Sequence, residues 1–523
     1  MSESMVARRG RWTLLATGLG LFMIFLDAAI VNVAIPDIQR EFGGGESALQ
    51  WVVAGYSLTF AMFIMSAGKV GDQRGRRLAY ISGIIVFCLA SLACGLAPNL
   101  PALSVARAVQ GVGAALVNVA SLALVSAAYP DPNEKARAIG IWTAIAAVGL
   151  TLGPVLGGVL TEALGWRSIF LINPLIGLVP LVLTILFVAE SRDPTDRGFD
   201  VPGQAIFLLG IGGLTFALIQ GGHLGWTSPA TVAILVASFA LLGAFAWFEL
   251  RTPQPMMDVR VFGNHVYSVA LYAVFAVLFC VYGTLFLITQ YFQNVRAYSP
   301  ERTGIMILAM SVPTVILAPL SGRLVATKGG RRPTLWGMSF AVVAMGILAA
   351  SNGSHLPVTL AGLLAIGIAG GLSVAAATSV AMGSIPPERA GMASGILSTQ
   401  RGLGSTAGFA IMGSVLVGVV STVLPGRLEP SVSERGERAR IVDQVVDGAN
   451  PQAVTSIIGP SDPIRANVTE QRDVLQEADD AFIAGIRAAM LVGLVVSLSA
   501  LVLVWVTFPR GGAAARDDPA VAR

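Results

Sequence analysis

The sequence predicts an all-α integral membrane protein with 14 transmembrane helices in a 6 + 2 + 6 arrangement. Three observations support this fold class: the composition, the number of long apolar runs, and the side of the membrane on which the basic residues fall. Hydrophobic residues make up 54% of the 523-residue chain and charged residues 12%, which is about half the charged share of soluble domains. Most of the molecular surface must therefore face lipid.

Fourteen apolar runs reach the length of about 20 residues that a helix needs to cross a bilayer. The first run follows Arg8, Arg9 and Arg11, as in a signal peptide, but it continues to Ile35 without a small-residue cleavage site, which predicts a membrane span. The approximate limits of the predicted spans are 12–35, 48–68, 78–98, 101–128, 138–161, 168–189, 203–221, 229–249, 264–290, 302–323, 333–351, 356–381, 391–422 and 481–508.

The basic residues fall mainly on one side of these spans. The loops on the side of the N-terminus carry 15 Lys and Arg residues, whereas the opposite short loops carry only Arg40, Arg167, Arg296 and Arg302. Because short loops rich in Lys and Arg stay in the cytoplasm, both termini are predicted to be cytoplasmic.

A repeated hairpin divides the chain into two halves. The segment Gly68–Arg77 follows the second span and Gly322–Arg332 follows the tenth, and both are short, glycine-rich and basic. Two halves of six spans leave the seventh and eighth spans as an insert, and paired halves are typical of transporters. The predicted domains are an N-terminal half at 1–190, a central insert with flanking loops at 191–260, and a C-terminal half at 261–523, which includes an external loop at 423–480 and a cytoplasmic tail at 509–523. Within the external loop, residues 438–446 are predicted to form either an amphipathic helix at the membrane surface or a solvated loop.

The first hairpin is predicted to be a cytoplasmic gate. Its glycines permit a tight reversal, and its arginines anchor it at the cytoplasmic face. Asp72 can pair with a neighbouring helix end in one conformation and release it in another, whereas the second copy has Ala326 at this place. The alternative is a surface hairpin that only sets topology. The residues assigned to the gate are Gly68, Asp72, Arg74, Gly75 and Arg76.

The fifth span carries glycines at every fourth position, Gly149, Gly153 and Gly157, with Pro154 and Gly158 beside them. Such a stripe lets another helix backbone approach closely, and a proline inside a helix bends it. The alternative is ordinary packing of small residues.

Two charges lie inside predicted spans, where charge is costly and indicates function. Asp27 lies eight residues before Ile35, and Arg107 lies six residues after Pro101. At 1.5 Å per residue both are roughly 9 to 12 Å below the outer surface, so they can form a pair. Burial favours the neutral form of a carboxyl group, whereas a nearby guanidinium favours the ionised form. This competition predicts that Asp27 can be protonated. Protonation would weaken the pair and couple proton entry to transport. The alternative is a purely structural ion pair.

Four polar residues are candidates for the substrate cavity. Asn32 and Gln110 lie near the two charges, and Tyr282 and Gln290 lie on the ninth span. The alternative for the first two is polar contact within the helix bundle, and for the last two it is anchoring at the membrane interface. Arg401 and Arg487 were given no role, because near the ends of their spans they can extend toward water.

Several chemistries find no support in the sequence. It has no GxxxxGK[ST], HExxH or GxSxG motif, and its three histidines are scattered, so no metal site, catalytic site or cofactor is predicted. Basic residues occur in short clusters between apolar runs, which does not favour nucleic-acid binding. The energy for transport is therefore expected to come from an ion gradient.

These motifs resemble those of the major facilitator superfamily, and specifically its fourteen-span drug:proton antiporter branch. The hairpin at 68–77 is similar to the superfamily motif between the second and third spans. The other matching motifs are Leu103, Arg107, Gln110, Gly111, Gly113 and Ala114 in the fourth span, Gly140, Gly149, Gly153, Pro154, Gly157 and Gly158 in the fifth, and Leu26, Asp27, Asn32, Val33, Ala34 and Pro36 in the first. Residues Leu19–Arg40 and Glu134–Trp142 resemble actinobacterial efflux pumps for tetracycline and spectinomycin.

This resemblance implies the major facilitator fold and proton-coupled antiport that exports small organic compounds or drugs by alternating access. It further implies a monomer in the lipid bilayer of the plasma membrane, with small molecules and protons as partners and the proton gradient as energy source. The alternatives are an exporter or importer of an endogenous metabolite or lipid and, more remotely, a membrane-embedded enzyme or receptor.

Overall fold

The regular structure of the described residues is helical. The computed structural model describes residues 3–42, 46–192, 201–252, 257, 259–298, 300–351, 355–386, 389–429, 438, 441–442, 445 and 468–509. The long helices within these ranges are α1 Glu3–Phe42, α2 Glu46–Arg74, α3 Arg76–Gly95, α4 Leu100–Ala128, α5 Pro132–Leu164, α6 Ser168–Phe187, α7 Val201–Leu224, α8 Pro229–Glu249, α9 His265–Gln290, α10 Pro300–Lys328, α11 Arg331–Ala350, α12 Leu356–Gly383, α13 Ala390–Leu428 and α14 Val468–Thr507. A 3-10 turn, Val259–Gly263, precedes α9, and a π turn, Tyr291–Val295, follows it.

Each long helix corresponds to one predicted span, although not every helix is an equally good membrane crossing. Twelve helices within the described ranges are long and apolar enough to cross a bilayer. Helix α2 bends by 49° between Trp51–Ile64 and Ser66–Arg74 and adds a thirteenth if it crosses as one span. Helix α7 has 24 residues, and its apolar segment with described side chains is Pro202–Leu218. The chain is thus a multi-pass membrane protein, and the predicted number of 14 spans is compatible with this result.

Local sequence explains where several helices begin. Asp131 precedes α5, and its Oδ1 accepts hydrogen bonds from the backbone N–H groups of Asn133 and Glu134, both at 2.9 Å. Asn99 caps α4 in the same way, with its Oδ1 2.9 Å from the N–H of Ala102. A proline stands in the first turn of both helices, where it removes no internal hydrogen bond.

The helices form two packed groups. In one, α1 packs against α4, α5 and α6, α2 packs against α4, and α3 packs against α4 and α6. In the other, α9 packs against α12, α13 and α14, α10 packs against α12, and α11 packs against α12 and α14. Helices α7 and α8 pack mainly on each other, and α7 also contacts α2 and α13. The domain limits 1–190, 191–260 and 261–523 remain a prediction.

The two groups meet at the helix ends that carry the two basic hairpins. Helix α5 crosses α10 so closely that a methyl group at Gly322 would overlap the carbonyl oxygen of Ala136. Between α13 and α4, the Ser398 hydroxyl donates to Asn118 Oδ1 at 2.8 Å. The charge asymmetry of the loops predicts that these ends are cytoplasmic, so the two groups are in contact at the end predicted to face the cell interior.

The segment predicted as an external loop, 423–480, is partly helical. Helix α13 continues to Leu428 and α14 begins at Val468, and Arg427 Nη1 lies 3.2 Å from Glu477 Oε2 between them. The expectation missed these turns because a hydropathy window detects only the apolar part of a helix. In the stretch 438–446, the described residues are helical, and Ile441 and Val445 are buried. The tail beyond residue 509 lies outside the described residues.

Candidate functional site

The two intramembrane charges that the sequence placed at one depth are in contact. Arg107 on α4 and Asp27 on α1 form an ion pair, with Nη1 2.6 Å from Oδ2. The two side chains are 1% and 0% exposed, so neither charge is solvated in this conformation. Their role in proton coupling stays a prediction.

Gln110 completes this ion pair from the same face of α4, three residues after Arg107. Its Nε2 donates to Asp27 Oδ1 at 2.9 Å, and its Oε1 accepts from Arg107 Nη1 at 2.8 Å. The side chain is fully buried. The structure therefore places Gln110 in polar contact within the bundle, which was the alternative to its assignment to the substrate cavity.

Asn173 on α6 is a third partner of Asp27, which the sequence reasoning missed. Its Nδ2 lies 2.7 Å from Asp27 Oδ1 and 2.9 Å from Ser91 Oγ. The Ser91 hydroxyl donates in turn to the carbonyl of Phe170 at 2.9 Å. The sequence does contain a signal for this residue, because Asn173 is a polar amide directly before Pro174 in an otherwise apolar run. Asp27 thus accepts hydrogen bonds from two neighbouring helices, and this set of Asp27, Arg107, Gln110 and Asn173 is called the Asp27 network below.

The guanidinium of Arg107 has further contacts on α2. Its Nε donates to the carbonyl of Val52 at 3.0 Å, and its Cζ lies 4.3 Å from the centre of the Tyr56 ring. A cation over an aromatic face is stabilised electrostatically, the more so when water is excluded. Arg107 therefore links α2, α4 and α1 through one buried charge.

The donors around Asp27 fit an ionised carboxylate. An ionised carboxylate only accepts hydrogen bonds, whereas a protonated carboxyl group has one O–H donor. The three groups on Asp27 all act as donors. All three contacts are therefore of the kind that an ionised carboxylate accepts.

The glycine stripe of α5 lies against the part of α1 that carries Asp27. A methyl group at Gly149 would lie 2.6 Å from the carbonyl oxygen of Phe22, and one at Gly153 would overlap Cβ of Ala29. At Gly157 the added carbon would lie 2.8 Å from Ile30 Cγ1. These three positions therefore require glycine for close helix contact.

The remaining motif positions on α5 differ from this stripe. Gly158 has no neighbouring atom within 4 Å of an added methyl group, so it takes no part in the contact with α1. Pro154 lies within the continuous helix α5, Pro132–Leu164. Its side chain lies outside the part that the structure describes.

The cytoplasmic hairpin is held by buried polar contacts. Asp72 Oδ1 accepts from Nη2 and Nε of Arg76, at 2.8 and 3.0 Å, and both side chains are buried. Arg76 is the first residue of α3, so the pair joins the ends of α2 and α3. Gly68 is buried within α2, and Arg74 is exposed.

Gly75 allows a second contact at this hairpin that the sequence did not reveal. Its φ of 113° lies in the region that favours glycine. The carboxylate of Glu190, beyond α6, accepts from the backbone N–H groups of Arg77 and Leu78 at 3.0 and 3.2 Å. Because Glu190 Cδ lies 2.5 Å from where a Cβ of Gly75 would be, only glycine lets this carboxylate cap α3.

Two of the other predicted cavity residues, Tyr282 and Gln290, lie on α9, which carries no residue of the Asp27 network. Tyr282 lies on α9, with its ring edge-on to Phe409 of α13 at 5.5 Å between ring centres. Gln290 is the last residue of α9 and is partly buried. The side chain of Asn32 lies outside the described residues, although its backbone is part of α1.

Comparisons with known proteins agree with this architecture. A family model described as the Major Facilitator Superfamily matches residues 17–409. The chain is 47% identical over 506 residues to the multidrug resistance protein Stp of Mycobacterium tuberculosis, covering 97% of this chain and 93% of the relative. It is 39% identical over 503 residues to the drug efflux pump JefA of the same species, covering 96% and 99% of the two chains.

A solved structure shares the fold at low sequence identity. The human organic anion transporter MFSD10 matches with a TM-score of 0.63 and 16% identity, covering 95% of this chain and 99% of that chain. This likeness concerns the fold alone, whereas the family match and the two relatives extend over most of the sequence. The chain therefore belongs to the Major Facilitator Superfamily of membrane transporters.

Proposed function

We propose that this protein is a secondary active transporter that exports small organic compounds, drugs among them, in exchange for protons by alternating access. The observation that supports this most is the Asp27 network, in which one buried carboxylate accepts from Arg107, Gln110 and Asn173. A buried carboxylate of this kind can hold a proton in one conformation and release it in another.

Proton binding at Asp27 is the first step of the proposed cycle. The protonated carboxyl group cannot accept from all three donors as the carboxylate does, so α1 loosens from α4 and α6. Each tenfold difference in proton concentration across the membrane supplies about 1.4 kcal/mol. Two conformations that differ by a few kcal/mol can exchange under such a bias.

The close contact of α5 with α1 transmits this change to the other helix group. Gly149, Gly153 and Gly157 hold the α5 backbone against α1, and α5 also packs against α10 and α12. A shift of α1 therefore alters the contact between the two groups. Closure at the cytoplasmic end alternates with closure at the outer end, and Asp72 and Arg76 hold the cytoplasmic hairpin in the conformation described here.

Export of drugs is supported by the relatives. The relative that is 47% identical over almost the full length is named a multidrug resistance protein, and the one at 39% is named a drug efflux pump. The two likenesses cover 97% and 96% of this chain. The direction of transport proposed for this chain rests on these two relatives.

The proposed setting follows from the same features. The protein lies in the plasma membrane as a monomer with both termini in the cytoplasm, in agreement with the 15 basic residues on that side. It needs no cofactor, because the proton gradient supplies the energy. Residues 1–190 and 261–523 form the moving halves, and 191–260 is the insert between them.

The test is transport by an Asp27→Asn variant in everted membrane vesicles. Two probes of opposite charge, ethidium and carboxyfluorescein, are followed with and without a proton gradient. Asparagine has similar size but carries no proton, so gradient-dependent movement of every probe that the wild type transports should disappear. Asp37→Asn is the matched control, because Asp37 lies near the end of the same helix and pairs with Arg40. Undiminished transport by Asp27→Asn would refute the proposal.

A further inference from the structure

A second intramembrane arginine, Arg401, lies where the two helix groups meet. It is the twelfth residue of α13, so about 17 Å of helix separates it from the start of α13 at 1.5 Å per residue. Its Nη2 donates to Thr378 Oγ1 on α12 at 2.7 Å. Its Cζ lies 5.0 Å from the centre of the Trp142 ring on α5. The side chain is therefore held between helices and does not extend to the membrane surface.

Arg401 lacks a countercharge among the residues that the structure describes. The described salt bridges do not include it, and its Nε is buried without a hydrogen-bond partner. Threonine and tryptophan neutralise no charge. Because a guanidinium inside a membrane is costly without an anion, this arrangement favours binding of an anionic partner, and the described residues provide none.

The surroundings of Arg401 are aromatic and partly accessible. Arg401 itself is only partly buried, and Tyr282 lies on α9, which packs against α13. The Tyr282 ring contacts Phe409, which is 38% exposed, and Phe409 contacts Phe286 with ring centres 6.0 Å apart. Fully buried Trp142 supports the guanidinium from the α5 side. This region of the contact between α9 and α13 thus contains a positive charge and several aromatic rings.

The Asp27 network cannot supply a negative site in this conformation, because Asp27 is fully buried and paired. We propose that Arg401 binds the negatively charged group of the transported molecule, a carboxylate or phenolate, while Tyr282 and Phe409 contact its aromatic part. The substrate class is then aromatic organic acids. This inference rests on the proposed transport function and adds the charge of the substrate to it.

Transport of carboxyfluorescein and ethidium by purified full-length protein in liposomes tests this assignment. The variants are Arg401→Gln, which removes the charge, and Arg401→Lys, which keeps it. Arg487→Gln is the matched control, since Arg487 is also intramembrane but donates from Nε to the Ala349 carbonyl at 2.9 Å. We expect Arg401→Gln to lower carboxyfluorescein transport at least tenfold. Arg401→Lys and Arg487→Gln should each retain a third or more, and ethidium transport should change less than twofold in all three variants.

Three results would overturn the assignment: wild-type protein that does not move carboxyfluorescein, unchanged carboxyfluorescein transport in Arg401→Gln, or an equal loss of both dyes in that variant. The last result would indicate that Arg401 only joins α13, α12 and α5. If wild-type ethidium transport still depends on Asp27 in any of these cases, the proposed function stands and only the anion site fails. If neither dye moves with the gradient, both proposals fail.

Discussion

Two arginines inside the membrane, Arg107 and Arg401, have opposite environments. Arg107 is fully buried against Asp27 and Gln110, with Nη1 2.6 and 2.8 Å from their oxygens. Arg401 is partly accessible and contacts Thr378 and Trp142, neither of which carries a charge. We propose that the neutralised charge of Arg107 serves the conformational cycle, whereas Arg401, which has no anion among the described residues, binds a ligand.

Removing the Arg107 charge should cause the largest loss of stability. Arg107→Leu leaves Asp27 buried with its charge uncompensated, so we expect a loss of about 3–5 kcal/mol in the free energy of unfolding. The double variant Asp27→Leu with Arg107→Leu should recover most of this loss, because no charge remains. Thermal unfolding in detergent measures both. A double variant as unstable as the single one would show that the uncompensated charge of Asp27 is not the main cause of the lost stability.

The glycine stripe offers a matched pair of substitutions in one motif. Gly153→Ala places a methyl group against Ala29 and should cost about 1–3 kcal/mol through overpacking, with loss of transport. Gly158→Ala meets open space and should leave stability and transport nearly unchanged. Melting temperature and transport rate are measured for both variants. Equal effects at the two positions would contradict the assigned contact between α5 and α1.

Loss of one donor to Asp27 should have a smaller effect, on the pH dependence of transport. Asn173→Ala removes a hydrogen bond to the charged form of Asp27, so a proton binds more readily. The pH profile of transport should move toward higher pH by roughly one unit, which corresponds to about 1.4 kcal/mol. Asn133→Ala, an exposed substitution near the start of α5, is the control. An unmoved profile would mean that Asn173 does not act on Asp27.

The smallest effect is expected at the exposed pair of Glu41 and Arg167. Their side chains are 43% and 36% exposed, with Arg167 Nη1 2.6 Å from Glu41 Oε2. The hydrogen bond from Arg167 lowers the pKa of Glu41 below its ordinary value of 4.5. The contribution to stability is therefore complete above that value and disappears as the pH falls through the lowered pKa.

Exposed ion pairs contribute little, so Glu41→Gln should lower the melting temperature only slightly at pH 7 and not at all in strong acid. Melting curves at the two pH values check this. A large loss at pH 7 would contradict the distinction between buried and exposed pairs.

Sequence reasoning identified the residues of the ion pair because depth along a helix follows from residue number. Asp27 and Arg107 were assigned to one level from their distances to the helix ends, and the structure places them in contact. The superfamily membership expected from the motifs is confirmed by the family match over residues 17–409. Helix positions also followed from hydropathy, although the polar ends of several helices, among them α1, α2, α5, α13 and α14, extend beyond the predicted spans.

The remaining contacts depend on which helices are neighbours, and a single sequence contains no such information. Asn173 reaches Asp27 only because α6 packs against α1. Glu190 caps α3 from 113 residues away. That Arg401 has no countercharge among the described residues is recognisable only after its neighbours are known. Arginine near one end of an apolar run was interpreted as extending toward water, because spacing does not show the direction of a side chain.

The most direct test of the central claim is an infrared measurement of the protonation of Asp27. Difference spectra of the purified protein are recorded across the pH range in which transport operates. We predict a protonated-carboxyl band that titrates in this range, is absent from Asp27→Asn, and moves to higher pH in Asn173→Ala. A band that persists in Asp27→Asn, or an Asp27 that stays ionised throughout, would contradict proton coupling through this residue.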